Sequence, residues 1–370
     1  MAKLVLISHV LRKMHNKKIQ ERRNERRIMR YTNSAFSMTE DEFIASYRVS
    51  KDLFEEVYEN IKPFLPAPKR RSDISPEYKV LITLSFYATG SYQRLVGGTY
   101  GTLMSQQSVS RAIRDVTAAL NNQVVLNRWI RFPQTRQERD DIKKRFYEKF
   151  KIPAVLGCID GTHIAIIRPV ENEERFFNRK HFHSRNVMII SDADLKILSV
   201  DASFGGATHD SFVWNQHPIK QHLTNLNNNG ENVYLLGDSG YAQREYMMTP
   251  IVDAPVGSPE EFYSKMHASA RNTVERTIGV LKNRWRCLLG HRVLHYHPIK
   301  AAKIINACCV LHNMCINRIE IALDENTSNH GQNYPLISSQ ESISRTSAAE
   351  LRCGIEKRTN LVQHLWASRR

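Results

Sequence analysis

Four acidic residues stand out by where they sit. Asp160 lies in the middle of the apolar run AVLGCIDGTHIAII (residues 154–167), and Asp238 closes VYLLGD. Glu275 lies inside ARNTVERTIGVLKNRWRCL, and Asp210 falls in GGATHDSFVW. Burying an unpaired acid costs several kcal/mol, so a strand with one at its centre needs a cation or a developing charge for it to face. Alone, the Asp160-Gly161 pair could merely end a strand at a turn. Its recurrence at two further apolar elements argues for chemistry. Carboxylates that converge cannot all stay ionised without a positive charge among them, and oxygen-only ligands select hard ions such as Mg²⁺ or Mn²⁺. Two such ions about 4 Å apart activate an attacking water and stabilise the leaving oxygen of a phosphodiester. The pattern therefore points to a metal-dependent nuclease.

The elements that must position these acids are legible in outline. After the run at 154–167 come a polar, aromatic-rich loop and two strand-like runs, NVMIISDAD and LKILSVDASF. Thr208 is placed to N-cap a helix through VWNQHPIKQHL, and VYLLGD reads as a fourth strand. Three strands, a helix, a strand and further helices make a mixed α/β domain. Asp160 then lies within the first strand, Asp210 at a helix N-terminus, Asp238 at the end of the fourth strand and Glu275 inside a later helix. That helix reaches the sheet through an expected stripe of Val274, Ile278, Leu281, Trp285 and Leu288. It also carries Arg271, Arg276, Lys282, Arg284 and Arg286, cations able to steady carboxylates or meet phosphates.

The chain before the sheet reads as helical. Ser50 precedes Leu53, Phe54, Val57 and Ile61 at helix spacing, with Pro63 as the stop; Ser75-Pro76 opens a second helix that Gly90 closes. In SQQSVSRAIRDVTAALN, Val109, Ile113, Val116 and Leu120 form one stripe, leaving Gln107, Ser108, Arg111 and Arg114 outward. This is the layout of a helix-turn-helix DNA reader, with Arg111 and Arg114 as DNA contacts; a plain helical bundle fits the same pattern. The expected organisation is a basic arm (1–35), a helix-turn-helix-like region (36–127), a linker and helix (128–153), a nuclease domain (154–319) and a polar, mostly flexible tail (320–370). A helix is expected within the tail near 348–366.

Charge narrows the partner. The 370 residues carry a formal +16, with a pI near 9.6, the footprint of a polyanion binder. Residues 1–30 hold ten basic and two acidic side chains, a net +8, read as a solvated arm suited to nuclear import or phosphate contact. Residence in the nucleus, with the cytoplasm as a second compartment, is the expectation. No run reads as a signal peptide or membrane span, and six cysteines without C-x-x-C pairing argue against a disulfide framework. Cys308, His312 and Cys315 share a helix face as a soft metal site would, but their apolar surroundings favour a core helix. His163, His181, His183 and His209 flank the acids, to orient a phosphate or to hold local hydrogen bonds. There is no P-loop or dinucleotide loop, which disfavours a nucleotide-driven motor.

The segments GCIDGTHIAI, NRKHFHS, THDSFVW, LLGDSGY, MMTP, RNTVERTIGVLKNRW with RCL, and ACCVLHNMC occur in the order that characterises PIF/Harbinger transposases and the nucleases derived from them. The chain resembles that family over roughly residues 153–317. The resemblance implies a ribonuclease H-like mixed sheet with flanking helices and a DDE site. By it, Asp160, Asp238 and Glu275 match the catalytic acids, with Asp210 a further ligand to Mg²⁺ or Mn²⁺. It also implies DNA as substrate and a separate Myb-like or trihelix DNA-binding partner. Phe204-Gly205-Gly206-Ala207-Thr208 departs from the family's usual Trp-Pro-Gly-Ser type turn. Three activities fit: an endonuclease, a still-active transposase, or a catalytically silent DNA-binding or adaptor protein on a nuclease scaffold.

Overall fold

The computed structural model describes residues 2–32, 34–70, 73–98, 103–318 and 347–369. It divides into two compact units, Met1–Ala119 and Leu120–Arg370.

The described residues of the first unit form helices joined by turns. α1 (Ala2–Thr32) carries the basic block, and its residues 7–29 are exposed apart from a half-buried Ile19. The arm expected there is thus helical, since its Arg, Lys, Gln and Glu are strong helix formers. α2 (Glu40–Tyr47) starts at a capping box between Thr39 and Glu42. α3 (Lys51–Ile61) is capped by the Ser50 hydroxyl, which accepts from Leu53 N at 3.1 Å. α4 (Pro76–Thr89) runs from Ser75 to Gly90, whose left-handed φ of 63° ends the helix without a Cβ penalty. A short α5 (Gln93–Val96) leads towards α6 (Gln106–Leu120). Along α6, Val109, Ile113, Val116 and Leu120 are buried while Arg111 and Arg114 are exposed.

The second unit is a mixed α/β layer structure. α7 (Gln123–Trp129) and α8 (Arg136–Phe150) precede a five-stranded sheet. Its strands are β1 (Val155–Ala165), β2 (Ser184–Ser191), β3 (Ile197–Gly205), β4 (Tyr234–Leu236) and β5 (Met247–Met248), in the order β3-β2-β1-β4-β5. β1-β2 and β2-β3 are antiparallel; β1-β4 and β4-β5 are parallel. Between β3 and β4 the chain forms two helices, α9 (Asp210–Gln216) and α10 (Pro218–Asn228), where one was expected from Thr208. Pro218 cannot continue a helix, so α9 stops, and the cap position is His209. Val213, Trp214 and Leu223 from these helices join Leu156, Ile159, Met188 and Ile190 in one apolar core.

α11 (Pro259–Arg284) packs against β1, β2 and β4. Its buried face includes Val274 and Leu281 of the expected stripe, together with Ala270, Thr273 and Thr277, which the stripe did not include. Trp285 and Leu288 are buried beyond the helix end, and Ile278 is only partly covered, because small residues and threonines bring α11 close to the strands. α12 (Pro298–Arg318) is long and apolar enough to cross a membrane, yet 67% of that stretch is buried within the fold. Asn313 on α12 fastens β3, accepting from Ile197 N at 2.8 Å and donating to Ile197 O and Trp129 O at 2.7 Å. The Arg139–Glu231 pair, at 2.8 and 2.6 Å, ties α8 to the approach of β4.

The linking stretch 319–346 of the expected flexible tail lies outside the described residues. Beyond it α13 (Ser347–Ala367) packs on α11 and β5, burying Leu361, Val362 and Leu365, so that part of the tail belongs to the fold.

Candidate active site

Strand register places the first two acids. Cys158 on β1 pairs with Leu236 on parallel β4, so Asp160 and Asp238 stand the same two residues beyond a paired position. Side chains alternate across a strand, so Asp160 shares a face with Cys158. That face meets α11, because the Cys158 thiol donates to Ala270 O at 3.3 Å. One turn further along the helix from Arg271 is Glu275. The Arg271 guanidinium joins the two elements, with Nη2 3.6 Å from Asp160 Oδ2 and Nη1 2.5 Å from Glu275 Oε1. Backbone amides hold the strand acids as well: Gly161 N donates to Asp160 Oδ1 at 2.9 Å and Gly240 N to Asp238 Oδ1 at 3.0 Å.

Asp210 reaches β1 by another route. A Cβ at Gly161 would lie 2.2 Å from Asp210 Oδ1, so this carboxylate fills the space a side chain at 161 would take. Residues 160 and 161 point to opposite faces, so Asp210 comes from the side away from α11. Asn186 Nδ2 holds it there, 2.6 Å from Oδ1.

The acids act on one another electrostatically. Burial pushes the Asp160 carboxyl up to about 7, against the pull of Arg271, and the Asp238 and Asp210 charges add to the rise. Burial likewise raises Asp238, with Arg271 opposing and Asp210 and Glu275 contributing. Arg271 has its charge favoured: burial works against it, and Asp160, Glu275 and Asp238 outweigh that penalty.

Does a divalent ion suit these residues? The donors are all hard carboxylate oxygens, and three buried polar atoms around them lack a hydrogen-bond partner: Tyr241 Oη, Asn186 Oδ1 and Arg271 Nε. The Tyr241 hydroxyl is close enough for Asp210, Asp160 and Asp238 to raise its pKa further, after burial. Those features fit an ion, which Asp160, Asp210, Asp238 and Glu275 would hold. As they stand, no group of three His, Cys, Asp or Glu side chains among the described residues converges to hold a metal. Arg271 takes the position between Asp160 and Glu275 instead.

Other side chains singled out in the sequence fall elsewhere. His163 Nδ1 shares a hydrogen bond with Ser184 Oγ at 3.0 Å, and burial lowers its pKa. His183 pairs with Glu173 at 2.9 Å. His181 sits at a left-handed φ of 60°, and His209 precedes α9 without a side-chain cap. Cys308, His312 and Cys315 are core residues, and His312 Nε2 bonds Leu195 O at 2.8 Å. Lys282, two turns after Glu275, donates to Thr162 Oγ1 at 2.7 Å and His163 O at 3.2 Å. Burial, then Lys180, holds its pKa down to about 8. Sequence reasoning assigned no site role to Gly161, Asn186 or Tyr241, because each takes part only through tertiary contact.

Residues 159–313 are matched by a family profile described as DDE superfamily endonuclease. The class is thus a DDE endonuclease. "Putative nuclease HARBI1" of Homo sapiens and that of Bos taurus are each 33% identical over 282 residues, covering 75% of this chain and 78% of theirs. "Protein ALP1-like" of Arabidopsis thaliana is 25% identical over 341 residues, covering 84% of this chain and 81% of its own. No solved structure matches at a significant level. The chain belongs to the Harbinger transposase-derived nuclease family.

Proposed function

We propose that this protein is a divalent-metal-dependent DNA endonuclease working from a ribonuclease H-like core, with Asp160, Asp238 and Glu275 as the catalytic acids and Asp210 as a further ligand. The carrying observation is the shared offset of Asp160 and Asp238 on parallel β1 and β4, with Glu275 joined to Asp160 through Arg271. Mg²⁺ or Mn²⁺ held by these oxygens supplies the Lewis acid for hydrolysis of a phosphodiester. The chain's own contribution is to hold the acids at fixed depth. Gly161 and Gly240 amides orient Asp160 and Asp238, and Asn186 orients Asp210. Lys282, beside Thr162 on β1, sets a positive charge near the strand for the DNA backbone.

The first unit is read as the DNA-holding part. Arg111 and Arg114 are exposed on α6, and Arg26 of α1 and Arg94 line one pocket with Ser105 and Gln106 at its start. That arrangement supports backbone or base contact by a helix-turn-helix-like element, with the basic helix adding affinity or directing the protein to the nucleus. A Myb-like or trihelix protein would supply further sequence choice. Whether strand joining follows cleavage, as in a transposase, depends on the same acids.

A second reading is a DNA-binding or adaptor protein on a silent nuclease scaffold, favoured by the lack of a preformed three-acid metal cage among the described residues. Plasmid and oligonucleotide cleavage with Mg²⁺, Mn²⁺ and EDTA separates the two. The endonuclease cuts with either ion, stops in EDTA and loses turnover by orders of magnitude as Asp160→Asn, while still binding DNA. DNA binding with no metal-dependent cutting in the wild type supports the scaffold reading.

A further inference from the structure

One cation sits where the metal reading needs another. The Arg271 side chain is only 18% exposed, and it spans Asp160 on a strand and Glu275 on a helix. Its grip is one-ended. Only the terminal nitrogens meet the acids, while Nε is buried without a hydrogen-bond partner. A guanidinium anchored on all sides would serve structure; this one is held chiefly by the two charges that an incoming ion would claim. Glu275 is itself 50% exposed on its side chain, so its carboxylate borders solvent rather than the core. With Arg271 where it stands, no group of three His, Cys, Asp or Glu side chains among the described residues converges on an ion.

We propose that Arg271 is a displaceable counter-cation: it closes the acid cluster to divalent ions until a DNA phosphate draws the guanidinium outward, so ion binding and DNA binding are positively coupled. This rests on the endonuclease reading above. The physical requirement is a differential interaction, because a ligand shifts an equilibrium only by its preference between two states. Both ligands prefer the released state. An ion needs the carboxylates that Arg271 neutralises, and a phosphate offers the guanidinium a bidentate partner in exchange. Linkage makes the effect reciprocal: DNA tightens the ion by the same factor as the ion tightens DNA. The arrangement also answers an electrostatic difficulty. Bare carboxylates repel a phosphodiester, and Arg271 keeps the cluster partly neutral during approach.

The test measures ion binding, not turnover. Mn²⁺ is titrated into the full chain and followed by electron paramagnetic resonance, with and without a short DNA duplex, whose own Mn²⁺ uptake is subtracted. The wild type should bind Mn²⁺ about tenfold more tightly with the duplex present, a coupling of ordinary size. Arg271→Gln should bind Mn²⁺ more tightly than wild type without DNA and lose most of the DNA dependence. Arg271→Lys, which keeps a charge of similar reach, should retain part of it, and circular dichroism reports whether each variant folds. Equal or weaker DNA-free Mn²⁺ binding by folded Arg271→Gln overturns the counter-cation role while leaving the metal site intact. So does wild-type binding that ignores DNA. No Mn²⁺ binding by any form, with or without DNA, overturns the metal reading itself and this inference with it.

Discussion

Asp160→Asn should stabilise the metal-free protein while abolishing its chemistry, and the size of the gain should depend on pH. The unfolded chain ionises this carboxyl near its ordinary value of 3.8; the folded chain does so only at about 7, because burial and the neighbouring Asp238 and Asp210 charges outweigh Arg271. Between those values the unfolded state has released a proton that the folded state keeps, so wild-type stability falls as pH rises. Above about 7 both states are ionised and the loss is complete. A displacement of that size corresponds to about 4 kcal/mol, of which roughly half or more should survive relaxation and water entry. Asparagine keeps an oxygen to accept from Gly161 N and leaves Arg271 its Glu275 partner, but it carries no charge to desolvate. Its advantage should therefore grow by about 1–3 kcal/mol from about pH 5 to about pH 8. For a unit of this size that is a Tm difference of roughly 3–10 °C. Thermal unfolding in EDTA across that range is the assay. Parallel pH dependences for the two proteins would refute the claim that burial outweighs Arg271 at Asp160.

Further substitutions probe the rest of the reading. Gly161→Ala places a methyl group 2.2 Å from Asp210 Oδ1, so cleavage should collapse with a stability loss of about 1–3 kcal/mol, checked by plasmid nicking beside thermal melting. Arg111→Ala with Arg114→Ala should weaken DNA binding and lower the salt slope by about 2 if both meet phosphates, measured by fluorescence anisotropy over a salt series. The fold should persist, because Asp115 keeps its 3.1 Å pair with Lys79. Removing residues 1–30, which carry a net +8, should lower DNA affinity and flatten its salt dependence, or leave the protein in the cytoplasm on imaging.

What could be read in advance followed locality. Ser50, Ser75 and Gly90 mark helix ends with their own side chains or φ angle, so those boundaries are visible from a few residues. Asp160 was visible because an acid inside an apolar run contradicts its surroundings. The single helix expected from Thr208 failed at Pro218, where a breaker was in plain view but the apolar periodicity on both sides bridged it. β5 was not legible as a strand at all. Met247–Met248 is two residues long and exists only by pairing with β4. The stripe expected on α11 was incomplete for a related reason: four of its five residues are buried, but the threonines beside them were left out. Thr273 and Thr277 count as polar in a pattern, yet both are buried, and Thr277 Oγ1 donates to Thr273 O at 2.8 Å within the helix. Arg271 shows the limit most clearly. Its spacing of four from Glu275 announces a helical ion pair, whereas its contact with Asp160 depends on how α11 lies across β1.

The long-range and short-range charges of this protein have opposite signs, which sets an order of events. On the proposed endonuclease reading, a formal +16 draws DNA from solution, and that steering fades within about 10 Å at ordinary salt. Within the last few ångströms a phosphodiester meets Asp160, Asp210, Asp238 and Glu275, and the attraction would turn to repulsion if they stood alone. Arg271 offsets one of those charges, and Lys282 places a second cation beside Thr162 on the same strand. The backbone of the substrate can then settle before a divalent ion completes the neutralisation. If the ion loaded first, its charge would do the same work and Arg271 would have no reason to be buried between two acids. Its placement argues that the DNA arrives first.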